Sequence, residues 1–127
     1  MTGLLDTSVL IGPIPAPIIE SIERYAAPYL VRAELLRGQR RFELSPNMRQ
    51  RAAARAQLIA ALDDLHGFWR PFGAAESDAF AELRASGEQA ARSKDAIIAA
   101  HAIAAGQTLI TADHGFTRFQ GLEVDLI

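Results

Sequence analysis

The stretch Gly3-Leu4-Leu5-Asp6-Thr7-Ser8-Val9-Leu10-Ile11 decides the fold, because an acid follows one apolar run and precedes another. A second stretch, Thr108-Leu109-Ile110-Thr111-Ala112-Asp113, also closes an apolar run with an aspartate. Each pattern predicts a buried strand that carries an acid at its carboxyl end. Ligands of open α/β sheets bind at those ends. Asp6 and Asp113 are therefore candidate members of one site.

Strand and helix patterns alternate along the rest of the chain. Further predicted strands cover residues 28–31, 68–72 and 122–127. Predicted helices cover residues 32–41 (loosened near Gly38), 45–65, 74–86 and 93–105, with Ser45 and Ser93 as caps. Strands separated by helices need crossover connections, which produce a parallel sheet covered on both faces. We expect a three-layer α/β/α domain with a central, mainly parallel sheet of four to five strands.

Composition narrows the class of protein. A chain of 127 residues, 50% of them hydrophobic, suits one domain with a single core, so we expect residues 1–127 to form one domain. The absence of cysteine excludes disulfides, thiolate metal sites and a cysteine nucleophile. No apolar run approaches the roughly 20 residues of a membrane span, and the start lacks a secretory pattern. We therefore expect a cytoplasmic protein.

Four acids stand where an apolar run meets a turn or a helix, and each has an ordinary structural explanation. Asp6 could cap a helix, and Asp113 could stabilise a turn. Asp95 lies in a first helical turn, where the helix dipole favours negative charge. Glu34 could pair with Arg37, three residues further along the same helix. Taken singly, none of the four indicates a functional site.

The combination of these acids indicates a metal site. Asp6 and Asp113 end separate strands, and Asp95 opens the helix that leads to the second of those strands. Carboxylates that converge repel one another unless a cation lies between them. Oxygen ligands alone favour Mg²⁺ or Mn²⁺, which act on phosphodiesters by polarising a phosphoryl oxygen and activating water.

Four segments, in this order, resemble the motif series of PIN-domain proteins, and most of all the VapC-type toxins of bacterial toxin–antitoxin pairs. These segments are Leu4-Leu5-Asp6-Thr7-Ser8-Val9-Leu10-Ile11, Ala33-Glu34-Leu35-Leu36-Arg37-Gly38, Lys94-Asp95-Ala96-Ile97-Ile98-Ala99-Ala100-His101-Ala102 and Leu109-Ile110-Thr111-Ala112-Asp113-His114-Gly115-Phe116. The resemblance covers nearly the whole chain. It implies a metal-dependent endoribonuclease, the toxin of a type II system, that an antitoxin protein silences. It also suggests homodimers and larger toxin–antitoxin complexes.

The resemblance carries roles to individual residues. Asp6, Asp95 and Asp113 would bind Mg²⁺ or Mn²⁺, and Glu34 would bind the metal or orient the attacking water. The hydroxyls that flank these acids would hold them by hydrogen bonds; they belong to Thr7, Ser8 and Thr111. Many family members have a further acid after the last aspartate, whereas this chain has His114, Gly115, Phe116 and Thr117. One metal ion is therefore better supported than two.

Basic residues are concentrated in one part of a chain whose net charge is only −2. The concentrated residues are Arg37, Arg40, Arg41, Arg49, Arg51 and Arg55. Arginine matches phosphate oxygens well, so Arg49, Arg51 and Arg55 are predicted to contact RNA, although a solvated helix face is the alternative. The apolar surface of residues 25–36 and 58–65 is the predicted antitoxin surface.

Two other functions remain open at this stage. Asp6 could be the nucleophile of a phosphoryl-transfer protein, but such sites need another acid two residues on, where this chain has Ser8. The chain could also be a PIN-like interaction module without catalysis.

Two histidines accompany the acids. His101 lies about 240° around its helix from Asp95, so we expect it to pack in the core. His114 adjoins Asp113 and could approach the substrate.

Overall fold

A central parallel sheet organises the computed structural model, which describes residues 1–83 and 94–127. Its strands are β1 (Gly3–Leu5), β2 (Tyr25–Pro28), β3 (Trp69–Arg70), β4 (Leu109–Thr111) and β5 (Val124–Leu126). They lie in the order β3-β2-β1-β4-β5, and every neighbouring pair is parallel. The expected α/β class with a three-layer arrangement and four to five strands is therefore confirmed, with five strands.

Six α-helices within residues 1–83 and 94–127 connect and cover these strands. They are α1 (Thr7–Ile11), α2 (Ala16–Glu20), α3 (Tyr29–Glu43), α4 (Arg49–Asp63), α5 (Ala74–Glu82) and α6 (Lys94–Ala105). The predicted extension of α5 to Ser86 and the predicted cap Ser93 lie outside the described residues. No helix in the two described ranges is long and apolar enough to cross a membrane.

The second strand lies earlier than the sequence predicts. The prediction of a strand over residues 28–31 is wrong, because β2 ends at Pro28 and α3 begins at Tyr29. Pro28 has φ −62° and ψ 150°, an extended conformation that ends the strand and precedes the helix. Val31 and Leu35, both fully buried, are four residues apart and form the inner face of α3. The apolar run after Pro28 therefore belongs to a helix.

Gly38 does not loosen α3, which continues through it to Glu43. A Cβ atom at this position would lie 2.6 Å from Nη1 of Arg55. Arg55 lies on α4, which packs against α3, so Gly38 leaves room for the Arg55 guanidinium against α3. The glycine is thus explained by packing rather than by a break in the helix.

The core lies on both sides of β1 and β4, the middle of the sheet. Their side chains form nearly continuous apolar runs, as expected for strands covered on both faces. Large side chains with less than 2% exposure include Leu4, Leu5, Val31, Leu35, Ile98, Leu109 and Phe116. The helices that carry Glu34 and Asp95 are anchored by these contacts, so their positions relative to the sheet edge are fixed by packing.

His101 is a core residue, in agreement with the packing role expected from its helical position. Its side chain is only 4% exposed, and its ring centroid lies 5.6 Å from that of Phe72. Burial lowers the pKa of the imidazole, and the negative charge of Glu76 opposes that shift. The folded protein therefore holds His101 in its neutral form.

This burial predicts a loss of stability in mild acid. The folded pKa lies below the unfolded value of about 6.5, so the unfolded chain binds more protons as pH falls through that region. The contribution of His101 to the free energy of unfolding should be complete above that pH, and the protein should become less stable as the pH falls below it. Urea denaturation across this range should show the slope, and His101→Gln should flatten it. His114→Gln, at an exposed position, is the control; an unchanged slope in His101→Gln would assign the effect to another group.

Candidate active site

The sheet topology brings two of the predicted acids to one edge. Asp6 follows β1 directly, and Asp113 follows β4 after a single intervening residue. β1 and β4 are parallel neighbours in register, with Leu5 opposite Ile110. Both acids therefore stand at the carboxyl edge of the sheet, where the strand order leaves room for a ligand.

Asp6 is held by two hydroxyl groups. Its Oδ2 accepts hydrogen bonds from Ser8 Oγ and Thr111 Oγ1, each at 2.8 Å, and the residue is 6% exposed. No donor within the described ranges reaches Oδ1, and no buried side-chain oxygen there lacks a partner, so Oδ1 is open to solvent. The carboxylate is thus fixed through one oxygen and exposes the other to solvent.

The same hydroxyls also fix the loop after β4. Ser8 Oγ accepts from the amide of Ala112 at 2.9 Å, and Thr111 Oγ1 accepts from the amide of Asp113 at 3.0 Å. The two hydroxyl oxygens are 3.1 Å apart. Asp113 itself is exposed and accepts from the amide of Gly115 at 2.8 Å. This network connects the end of β1 to the loop that carries Asp113.

Thr111→Val should destabilise the protein by about 1–3 kcal/mol, because the valine keeps the shape but leaves buried hydrogen-bonding groups without their partner. The threonine is fully buried and serves both Asp6 and the amide of Asp113. Urea denaturation measures the change in the free energy of unfolding. Thr117→Val is the matched control, since that exposed hydroxyl only donates to the carbonyl of His114. Equal effects in the two variants would contradict a special role for Thr111.

Glu34 stands on α3 and is held from two sides. Thr7 Oγ1 donates to its Oε1 at 2.7 Å, and Lys94 Nζ lies 2.8 Å from its Oε2. The pairing with Arg37 considered from the sequence is not formed. Because Thr7 follows Asp6 in the chain, this hydrogen bond attaches Glu34 to the same edge of the sheet.

Asp95 lies in the first turn of α6 and pairs with Arg118, whose Nη2 is 3.2 Å from its Oδ2. Arg118 also donates to the carbonyl of Gly115, and its guanidinium lies 4.5 Å from the ring centroid of Phe119. Burial raises the pKa of Asp95, Arg118 opposes the shift, and the negative charges of Asp113 and Asp6 add to it.

The donor chemistry of these acids fits a hard divalent cation, because every candidate ligand is a carboxylate oxygen and Asp6 presents a solvent-facing one. Within residues 1–83 and 94–127, no three such groups already form a compact metal cluster. Lys94 forms an ion pair with Glu34, and Arg118 forms an ion pair with Asp95. A metal ion held by Asp6, Asp95, Asp113 and Glu34 would replace these side-chain cations.

Lys94 and Arg118 are the residues that the sequence interpretation missed. Lys94 is the only lysine of the chain and directly precedes Asp95. Its position beside a candidate ligand could have indicated a role in the site. Arg118 follows the last aspartate by five residues, beyond the positions considered for a further acid. His114 is exposed in the short turn after Asp113, and its carbonyl accepts a hydrogen bond from the hydroxyl of Thr117. Its participation in chemistry stays a prediction.

The three arginines predicted to contact RNA differ in their surroundings. Arg49 and Arg51 are exposed on α4. Arg55 is half-buried: it donates to the carbonyl of Leu35 at 3.2 Å and lies over the ring of Phe42 at 5.4 Å. Burial lowers the pKa of its guanidinium. Arg55 therefore joins α3 to α4, and of these three arginines Arg49 and Arg51 have exposed side chains.

The fold and the acids together define an α/β domain with an acidic site at the carboxyl edge of a parallel sheet. The PIN domain matches residues 3–122 of the sequence, and the chain belongs to this family. The proteins of this family are nucleases, so its chemistry is hydrolysis of nucleic acid. None of the curated proteins matches the chain.

Three solved structures are similar over their full length. A chain of VapBC-5, a member of the VapBC family of toxin–antitoxin systems from Mycobacterium tuberculosis, is 25% identical, with a TM-score of 0.72 and coverage of 99% of this chain and 98% of that one. A chain of VapBC2 from Rickettsia felis, bound to a promoter DNA fragment, is 24% identical (TM-score 0.68, coverage 100% and 99%). A chain of DNA-bound VapBC from Salmonella typhimurium is 20% identical (TM-score 0.68, coverage 98% of each).

Proposed function

We propose that this chain is the toxin of a type II toxin–antitoxin system and a divalent-metal-dependent endoribonuclease. The observation that supports the proposal is that Asp6 and Asp113 follow the neighbouring parallel strands β1 and β4 of a PIN-domain sheet. The full-length similarity to a chain of the M. tuberculosis VapBC-5 complex supports the toxin assignment.

The side chains of the site have separate tasks in this proposal. Asp6, Asp95 and Asp113 would hold Mg²⁺ or Mn²⁺, with Glu34 as a fourth ligand or as the group that orients the attacking water. When bound, such an ion supplies a Lewis acid for the phosphoryl group and lowers the pKa of water. Ser8 and Thr111 keep Asp6 in one orientation, and Thr7 does the same for Glu34. These hydrogen bonds preserve the geometry of the carboxylates.

The similar structures also guide the proposal for partners. They contain VapBC toxin–antitoxin complexes, and two of them include DNA. We therefore expect a cognate antitoxin protein, a homodimer of this chain and a larger toxin–antitoxin complex in the cytoplasm. The antitoxin surface predicted from residues 25–36 and 58–65 contains Tyr29, which is 53% exposed.

Cleavage of total bacterial RNA by the antitoxin-free protein tests this function. The reaction is run with Mg²⁺ or Mn²⁺ and with EDTA, and the cut ends are mapped by sequencing. Cuts at defined positions that EDTA abolishes are the expected result. Absence of cuts, together with absence of Mn²⁺ binding by calorimetry, would overturn the proposal and favour an interaction module. Phosphorylation of Asp6 by acetyl phosphate, seen by intact mass, would instead favour phosphoryl transfer.

A further inference from the structure

A groove of about 330 Å³ lies on α3 directly beside Glu34. Its lining includes Leu30 and Gly38 together with four charged side chains, those of Glu34, Arg37, Arg41 and Lys94. Positions 34, 37 and 41 are separated by three and four residues, so they lie along one face of the helix. The groove therefore leads along α3 into the acid site.

The charge of this groove is positive. Lys94 is paired with Glu34 at 2.8 Å, and these two charges offset one another. Arg37 and Arg41 are exposed, and neither forms an ion pair or a side-chain hydrogen bond with any residue in the described ranges. Two free guanidinium groups, one helical turn apart, thus line the approach to Glu34.

The other arginines of the sequence patch are engaged or lie elsewhere. Arg40 is 3.1 Å from Glu43, and Arg55 is held against the carbonyl of Leu35. Arg51 lines a different groove, between α1 and α4. The structure therefore divides one run of arginines in the sequence into separate surfaces, and from this run Arg37 and Arg41 line the groove beside Glu34.

We propose that the α3 groove binds the sugar–phosphate backbone of RNA next to the cleaved bond, with Arg37 and Arg41 contacting phosphates. The inference rests on the proposed ribonuclease function and assigns residues to it. A guanidinium presents paired donors that match phosphate oxygens, and such contacts position a nucleic acid without selecting its sequence. The ammonium of Lys94, which is 62% exposed, is available at the junction of the groove and the acids.

Binding is tested on the full chain in EDTA, with a fluorescently labelled single-stranded RNA of mixed sequence as the probe. The double variant Arg37→Ala/Arg41→Ala should bind more weakly, and the slope of log K against log salt should become shallower by about 1.4. This value corresponds to two lost phosphate contacts at about 0.7 each for a single strand. Arg24→Ala/Arg70→Ala is the matched control, with two exposed arginines of the same charge that do not line the groove, and it should leave the slope nearly unchanged.

Cleavage with Mg²⁺ or Mn²⁺ gives an independent readout. The groove variant should raise KM several-fold with little change in kcat, because its arginines position the substrate and do not touch the acids. If the variant still cleaves RNA with an unchanged salt slope and an unchanged KM, the proposal that the groove binds RNA would be overturned. The proposed ribonuclease function would then stand without it. If the variant loses antitoxin binding but binds RNA as before, the proposal would be overturned and the groove would be assigned to a protein partner. Absence of RNA cleavage and RNA binding by the unaltered protein would overturn both proposals.

Discussion

Asp6→Asn is expected to reduce RNA cleavage by about a hundredfold or more and to weaken Mn²⁺ binding in parallel. Mutation of groups that merely orient metal ligands typically costs about 10–100-fold, and Asp6 would be a ligand itself. Its Oδ2 is held by Ser8 and Thr111, while Oδ1 is open to solvent. Asparagine can still accept the hydroxyl hydrogen bonds, but it lacks the negative charge that a cation requires.

Asp125→Asn provides the matched control for this experiment. Asp125 is an exposed acid on β5, so its substitution removes the same charge without touching the candidate site. Both variants should be compared by cleavage rate, by calorimetric titration with Mn²⁺ and by thermal unfolding. Retention of full activity by Asp6→Asn would require the proposed mechanism to be abandoned. Equal losses in both variants would indicate a general effect of charge.

Phe116→Ala is expected to lower the free energy of unfolding by about 3–5 kcal/mol, the usual cost of removing a buried aromatic ring. Phe116 is fully buried in the turn between Asp113 and Arg118, and its ring centroid lies 6.1 Å from that of Phe119. The substitution leaves a cavity under the turn that carries the candidate ligand Asp113 and also Arg118, the partner of Asp95. Stability and activity should therefore fall together.

Phe80→Ala separates this effect from the general loss of an aromatic side chain. Phe80 is 38% exposed on α5 and contacts Phe72 edge to face, so its removal should cost about 1 kcal/mol or less. Urea denaturation monitored by circular dichroism measures both variants, with the two-state assumption tested by a second probe. Similar destabilisation by the two substitutions would show that the turn around Phe116 is not anchored by its burial.

The fold was predictable where a strand has a clear apolar run with an acid at its end. Leu4-Leu5 and Leu109-Ile110 are such runs, and both are central strands of the sheet. β2 was misplaced because its centre, Ala26-Ala27, gives no strand signal, although both residues are fully buried. Tertiary packing rather than local propensity selects this strand. The apolar run that follows it resembled a strand and is the first turn of α3.

The candidate site was predictable to the extent that topology determines it. Asp6 and Asp113 are placed by the ends of two strands, and Asp95 by the start of α6. The partners of the acids were not predictable in the same way. Lys94 and Arg118 have long side chains that reach across elements, and which acid each one meets depends on the packing of helices and turns. Within residues 1–83 and 94–127, Arg37 and Arg41 form no ion pair, and this too depends on where the other charges of those ranges lie.

The parallel sheet has a practical consequence for protein engineering. All five strands run in one direction, and the amide of Ile127 donates to the carbonyl of Thr111 just beyond the end of β5. Residue 127 therefore emerges on the same side as the acids, whereas residue 1 precedes β1 on the opposite side. A polyhistidine tag after Ile127 would place competing imidazoles near the carboxylates and disturb metal titrations. A tag before Met1 would keep them apart.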